Sequence, residues 1–306
     1  MSPLVRRWRP AWPCPVALVL APLRHGPGDP TFRVDAAGTT WRAVRTPAGP
    51  ATLAIDPLTR GEVLARAWGD GAAWVLEALP AVLGADDDPS GFVPRHEIVG
   101  RLWRRFPHWR LGASGLVMES LVPAIIEQKV TGAEAFSGYR RLVQRFGDPA
   151  SGAASELRLM LPPTPAQLLA VPSWEWLRLG IDHHRSAALL RAAQVAPALE
   201  RAARRGAAEL DRCLRTVRGI GVWTSAEVRS RVLGDADAVS FGDAHIAGNV
   251  GYALTGTPTD DAGMAELLAP YAPHRHRVQR LIELGGVQRP RRGPRMAPRA
   301  HLPVPT

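Results

Sequence analysis

Of the chain's 306 residues only one, Lys129, is a lysine, and only Cys14 and Cys213 are cysteines. Two thiols cannot furnish a four-cysteine zinc or iron–sulfur site. They fit a reducing cytoplasm, and nothing in the sequence supports a disulfide between them. No apolar run approaches the roughly 18 residues a membrane helix requires, so no membrane partner is expected. The last stretch, from Gly286 on, lacks acidic residues but holds Arg289, Arg291, Arg292, Arg295 and Arg299. Without those five arginines the formal charge of +10 falls to +5, so the body is only mildly basic. Arginine forks bind phosphate with two parallel hydrogen bonds. A biased genomic composition would produce the same arginines, so charge alone selects no function.

What is present is enough for a sizeable core. Hydrophobic residues make up 46% and charged ones 22%, and the length suits two domains. Near the start, Arg6, Arg7 and Arg9 precede the apolar segment Pro15 to Leu20, which loosely resembles a secretory signal. Pro15 and Pro22 bound the segment and β-like sequence follows, so Val16 to Leu20 is read as a first strand. Thr31 to Val34 and Thr40 to Val44 flank Ala36-Ala37-Gly38 as a hairpin, and Ala51 to Ile55 supplies another strand. Gly61 to Leu83 reads as one or two helices broken at Gly69-Asp70-Gly71. The polar seam from Ala85 to Gly91 marks a boundary, placed after residue 88.

Beyond the seam the chain reads as helical. Leu116 to Gln128 is apolar nearly all round and predicts a buried helix. Thr131 with Glu134 has capping-box spacing, which puts Gln128 and Lys129 at a tight junction. Thr164-Pro165-Ala166-Gln167 is a second helix start. Further helices are expected near 173–179, 183–204, 207–216, 223–233, 243–254, 261–269 and 274–285. Residues 287–306 read as a disordered Pro/Arg-rich tail.

Arg218-Gly219-Ile220-Gly221-Val222-Trp223-Thr224 lies between two of these helices. Two glycines allow a tight turn with positive φ and a close approach of backbone to ligand. Unpaired N–H groups at the next helix start suit a phosphate. An ordinary interhelical turn explains the same glycines. Likewise Gly242-Asp243-Ala244-His245-Ile246 reads first as a helix N-cap. A helix start can also present its aspartate to a pocket. Asp235 and Asp237 read as loop residues.

The segment from Leu214 to Thr224, with its continuation through Leu233-Gly234-Asp235 to Phe241-Gly242-Asp243, resembles the helix–hairpin–helix of the base-excision DNA glycosylase superfamily. The separation of Trp223 from Asp243 is similar to that in the DNA-3-methyladenine glycosylase II branch. Ile125 to Thr131 and Tyr271-Ala272-Pro273-His274-Arg275 extend the resemblance over roughly residues 95–285. It implies an α+β protein: a small β-rich N-terminal α/β domain (1–88), then an all-α helix–hairpin–helix glycosylase domain (89–286). It further implies Asp243 as the catalytic carboxylate, facing the oxocarbenium-like sugar that forms when an N-glycosidic bond breaks.

The same resemblance implies a base pocket of Trp223, His274 and Gln128. DNA contacts would come from Arg218, Gly219, Ile220, Gly221, Val222, Thr224, Lys129 and Arg275. The implied partner is double-stranded DNA containing damaged bases, bound by a monomer in the cytoplasm. No cofactor or metal is expected, apart from a monovalent cation at the hairpin carbonyls. His183, His184, His274 and His276 lack the carboxylate or cysteine companions of a transition-metal site.

Departures narrow the expectation. Trp223 occupies the place where strand-cutting relatives carry a Schiff-base lysine, so a monofunctional enzyme on alkylated purines such as 3-methyladenine is expected. His274 and Glu227 replace aromatic residues of the best-known relatives. Lys129 stands where relatives often place an apolar wedge. A glycosylase for an oxidised or deaminated base, and a silent DNA-binding protein, stay open as alternatives.

Overall fold

The computed structural model describes residues 2–152 and 157–290. The first layer is a five-stranded antiparallel sheet of order β1-β5-β4-β3-β2. Its strands are β1 (Leu4–Trp8), β2 (Phe32–Val34), β3 (Thr40–Thr46), β4 (Gly49–Ile55) and β5 (Val63–Trp68). Helices α1 (Val16–Leu20) and α2 (Ala72–Val82) share its hydrophobic core. Trp41 and Trp68, stacked with centroids 5.7 Å apart, form a second cluster with Leu159 and Leu161. That brings the short pair β6 (Asp148–Pro149) and β7 (Met160–Leu161) against the sheet.

Two expectations for this layer need correction. Val16 to Leu20 is a helix, not a strand: Val16, Val19 and Leu20 are its buried residues, at a helical spacing of three and four. The first strand lies earlier, where Arg6 and Arg7 pair with Ala65 and Leu64. The second correction is β5, which occupies the first half of the stretch expected to be helical. Val63, Ala65 and Ala67 are fully buried on alternate positions, a period of two that short alanine-rich sequence conceals. The hairpin at Ala36-Ala37-Gly38 does form, with Gly38 at φ 82°.

The remaining helices are α3 (Glu97–Arg105), α4 (Val117–Ile126), α5 (Gly132–Phe146), α6 (Pro165–Leu169), α7 (Glu175–Arg178) and α8 (His183–Ala203). They continue with α9 (Ala207–Thr216), α10 (Val222–Leu233), α11 (Ile246–Thr255), α12 (Asp261–Leu268) and α13 (Arg275–Leu284). Both predicted capping boxes are present, Thr131 with Glu134 and Thr164 with Gln167. α4 is buried nearly all round and packs with α5, α8, α9 and α10 in one core. A second helical core joins α3, α11, α12 and α13 through Trp109, Val250, Met264 and Leu281.

Val19 of α1 belongs to that second core. The N-terminal layer therefore reaches into the helical part. The seam also is tied down: Asp87 accepts from the backbone N–H of Leu111 at 2.9 Å and pairs with Arg277 of α13. Both cysteines are free thiols. No described helix is long and apolar enough to cross a membrane. Most of the expected Pro/Arg tail, from residue 291, lies outside the described residues.

Candidate active site and nucleic-acid interface

The hairpin between α9 and α10 follows from burial on either side of two glycines. Val217 and Ile220 are 8% and 6% exposed and pin the turn to the helical core. Gly219 has φ 99°, and a Cβ there would meet the Cβ of Ala188 at 2.9 Å. Glycine is thus required by conformation and by close approach alike. The first helical hydrogen bond of α10 runs from Ser225 N–H to Gly221 C=O at 3.0 Å. The N–H groups of Val222, Trp223 and Thr224 precede it, leaving a helix start able to donate to an anion. Arg218 and Val222 are exposed.

Gln128 braces this turn. Its amide donates to the Gly219 carbonyl at 2.9 Å and to the Thr224 hydroxyl at 2.8 Å. Lys129 follows, exposed and with φ 55°. The left-handed backbone lets the chain reverse between α4 and α5 while Gln128 keeps its grip. Replacing Gln128 by Ala removes both bonds. We expect it to lower stability by about 1 kcal/mol and weaken duplex binding severalfold, measured by thermal melting and fluorescence anisotropy.

Asp243 sits before α11. Its Oδ1 accepts from the backbone N–H groups of His245 at 2.8 Å and Ile246 at 3.0 Å. Its Oδ2 accepts from Trp223 Nε1 at 3.1 Å. Cap and presented carboxylate therefore coexist in one side chain. A carboxylate has about four acceptor positions, so these three bonds leave roughly one for a water or ligand.

Asp243 and Trp223 both line a cavity of about 270 Å³. That is near the lower end of ligand pockets, about 300–1,000 Å³, and suits a nucleobase rather than a whole nucleotide. One wall is Val19, Pro22 and Leu23, and another is Trp109 to Gly112. α10 contributes Trp223, Glu227 and Arg231, at i, i+4 and i+8 on one face. α13 contributes His276, Gln279, Arg280 and Glu283, also at helical spacing.

Burial opposes the charge of Glu227. Arg231 and the Ser240 hydroxyl outweigh it and hold the carboxyl below its ordinary value. Burial, then the charge of Arg280, pushes His276 from 6.5 down to about 3. The unfolded chain takes up a proton near pH 6.5 that folded His276 refuses, so this stability is complete above 6.5 and declines below it. At pH 5 the loss is roughly 2 kcal/mol. We expect denaturant midpoints to fall between pH 7 and 5, and His276→Gln to flatten that decline.

Several expected site residues sit elsewhere. Gln128 does not line the cavity; it holds the hairpin. His274 does not line it either: it packs edge-on to Phe92 at 5.7 Å and accepts from Arg277 Nε at 3.4 Å. Burial, followed by the Arg277 charge, lowers its pKa. Thr224 is 2% exposed with its hydroxyl engaged by Gln128, and Ile220 is buried, so these side chains do not reach the surface. The Arg275 guanidinium is engaged by Asp237, its Nε donating at 2.8 Å. Asp235 is likewise occupied by Arg229. Among the described residues no group of three His, Cys, Asp or Glu is arranged to hold a metal ion. The polar stripe on α13 was legible only as helical phase, once a cavity gave the phase a meaning.

No family model and no curated protein matches the sequence. Solved structures do match in fold. One is a 3-methyladenine DNA glycosylase from Archaeoglobus fulgidus, at TM-score 0.73 and 18% identity, covering 90% of this chain and 96% of that one. MBOgg1 in complex with a low-affinity DNA ligand matches at 0.70 and 12%, covering 93% and 100%. The Clostridium acetobutylicum 8-oxoguanine glycosylase/lyase in its apo form matches at 0.69 and 9%, covering 92% and 96%. The fold is shared over nine-tenths of this chain, and these neighbours are helix–hairpin–helix glycosylases.

Proposed function

We propose that this chain, which has the fold of the helix–hairpin–helix base-excision DNA glycosylases, is a monofunctional DNA glycosylase hydrolysing the N-glycosidic bond of alkylated purines such as 3-methyladenine. The observation that carries the reading is the carboxylate of Asp243, fixed by three donors at a base-sized cavity beside a phosphate-ready helix start. The hairpin grips the backbone without reading sequence, and the target nucleotide is extruded at a cost of a few kcal/mol. Lys129, exposed on the turn braced by Gln128, is the cation placed to meet the strand there.

In the reaction, the bond from sugar to base breaks and its electron pair leaves with the base. Positive charge develops on the sugar, where a carboxylate stabilises it and accepts a proton from the attacking water. At about 4 Å and an effective dielectric near 20, one opposite charge is worth roughly 4 kcal/mol, about a thousandfold in rate. An alkylated purine already carries positive charge, so modest assistance suffices. Trp223 orients Asp243 through its ring N–H and offers a face to a cationic base. Lys129, the chain's single lysine, does not line the cavity that Asp243 lines, which favours water over an amine as nucleophile.

We further propose a monovalent cation at the hairpin carbonyls. Hard carbonyl oxygens fit such an ion, although those of Gly219 and Arg218 already accept from Gln128 and Arg191. Base release from duplexes each carrying one defined lesion tests the function. Release of an alkylated purine supports it, and tight binding without release of any base contradicts it.

A further inference from the structure

Half of the chain's net charge sits in its last stretch, which from Gly286 on holds five arginines and no acidic residue. The contrast with the body lies in partners as well as in number. On α10 and α13, Arg229, Arg231, Arg275 and Arg277 each pair with a carboxylate of the same chain. Cations neutralised in that way have little left for an outside anion. Arg291, Arg292, Arg295 and Arg299 have no acidic neighbour in their own stretch to answer them.

The structure fixes where this stretch departs. Val287 packs against the core shared by α3, α11, α12 and α13. Two residues on, the Arg289 backbone N–H donates to Asn249 Oδ1 of α11 at 3.1 Å. The Arg289 side chain lies over Gly248, where a Cβ would stand 3.0 Å from its Cδ and 3.1 Å from its Nε. Arg289 is exposed, and its guanidinium has no hydrogen-bond or ion-pair partner among the described residues.

Helix α11 is the one that Asp243 caps. Asn249 lies one turn past His245, its N–H donating to the His245 carbonyl at 2.9 Å, and His245 is exposed beside the cap. Ile246 lines the cavity, whereas Gly248 points about 200° round the helix from it. The arginines therefore start on the outer face of α11, close to the cap but turned away from the cavity. That placement disfavours a lid over the base and favours a contact with the strand outside the cavity.

We propose that Arg291, Arg292, Arg295 and Arg299 form a basic arm, anchored on α11 through Arg289, that binds the phosphate backbone of the duplex flanking the extruded nucleotide. The assignment rests on the glycosylase reading above and adds a grip separate from the hairpin of α9 and α10. Arg299 is nine residues past Pro290. That stretch spans at most about 30 Å, or roughly nine base pairs at about 3.4 Å each. Within this reach arginine forks meet phosphates whatever the base sequence.

The test compares the full chain with a full-length variant carrying Arg291→Gln, Arg292→Gln, Arg295→Gln and Arg299→Gln. Fluorescence anisotropy measures affinity for an undamaged duplex of roughly 30 base pairs between about 50 and 200 mM salt. Each lost phosphate contact flattens the plot of log affinity against log salt by about 0.9, so the variant's slope should fall by roughly 2 to 4. Its affinity at the lowest salt should drop roughly 10- to 100-fold. Tm and single-turnover base release at saturating protein should match wild type, because only binding is altered. Equal slopes would overturn the arm, as would slower release at unchanged affinity. Lesion duplexes trimmed on one side or the other test the anchor. The variant's higher half-saturating concentration should disappear when one particular flank is removed and persist when the other is. A deficit indifferent to both flanks would contradict the placement on α11. No base release from any lesion, with the slope difference intact, would sink the glycosylase reading and leave the arm standing.

Discussion

Replacing Asp243 by Asn should lower the rate of base release about a thousandfold while leaving the protein folded. The two roles of this side chain separate cleanly in that variant. As a helix cap, Asn is as good as Asp, and its amide oxygen can keep the bonds from His245 and Ile246. What is lost is the negative charge and the acceptor for Trp223 Nε1, since an amide NH2 cannot receive that N–H. A stability cost near 1 kcal/mol is expected, a shift of a few degrees in Tm. The missing charge removes roughly 4 kcal/mol of transition-state stabilisation at about 4 Å. Single-turnover release and a thermal melt on the same preparation distinguish the two losses. Activity within tenfold of wild type would show that Asp243 is only a cap.

Breaking the buried pair between Asp87 and Arg277 should cost the most stability. The two side chains are 4% and 0% exposed, with Arg277 Nη1 donating to Asp87 at 3.0 Å. Arg277→Leu leaves the Asp87 carboxylate in the interior with only the Leu111 N–H as a donor. Removing one partner of such a pair costs about 3–5 kcal/mol, or about 10 °C in Tm at a few degrees per kcal/mol. The double variant Asp87→Asn with Arg277→Leu should recover part of this loss, because no buried charge is then unpaired. Additive single and double losses in a thermal melt would contradict the pairing. The contact also bears on function. It fastens the loop after α2 to α13, whose next turns carry Gln279, Arg280 and Glu283 into the cavity.

The legible parts of this molecule were those where local chemistry and tertiary structure agree. Capping boxes at Thr131 and Thr164 act within four residues, and both formed as their spacing predicted. The hairpin glycines, the buried α4 and the helix start after Asp243 were equally local. Val16 to Leu20 and Val63 to Trp68 failed in opposite directions because each is short and apolar. In such runs periods of two and 3.6 are hard to separate, and only the neighbours decide. Helix α1 had to cover one side of the sheet and wall the cavity; β5 had to lie between β1 and β4.

The site divided along the same line. Asp243 and Trp223 are twenty positions apart, yet each is marked by its own local signal, one a cap and the other part of a glycine hairpin. His274 and Gln128 were assigned to a pocket by resemblance, and the structure gives them other partners, Phe92 and the hairpin. Glu227 and His276 had been noticed singly, one as a replaced aromatic and the other as an unmatched histidine. Only the packing of α10 beside α13 places them on one wall.

The central claim is that Asp243 and water remove a base and leave the strand intact. Incubating the protein with a duplex carrying one 7-methylguanine, with and without borohydride, tests it most directly. The expected products are free base and a strand cut only after alkali treatment, with no protein–DNA adduct. A nick formed without alkali, or a covalent adduct trapped by borohydride at Lys129, would contradict it.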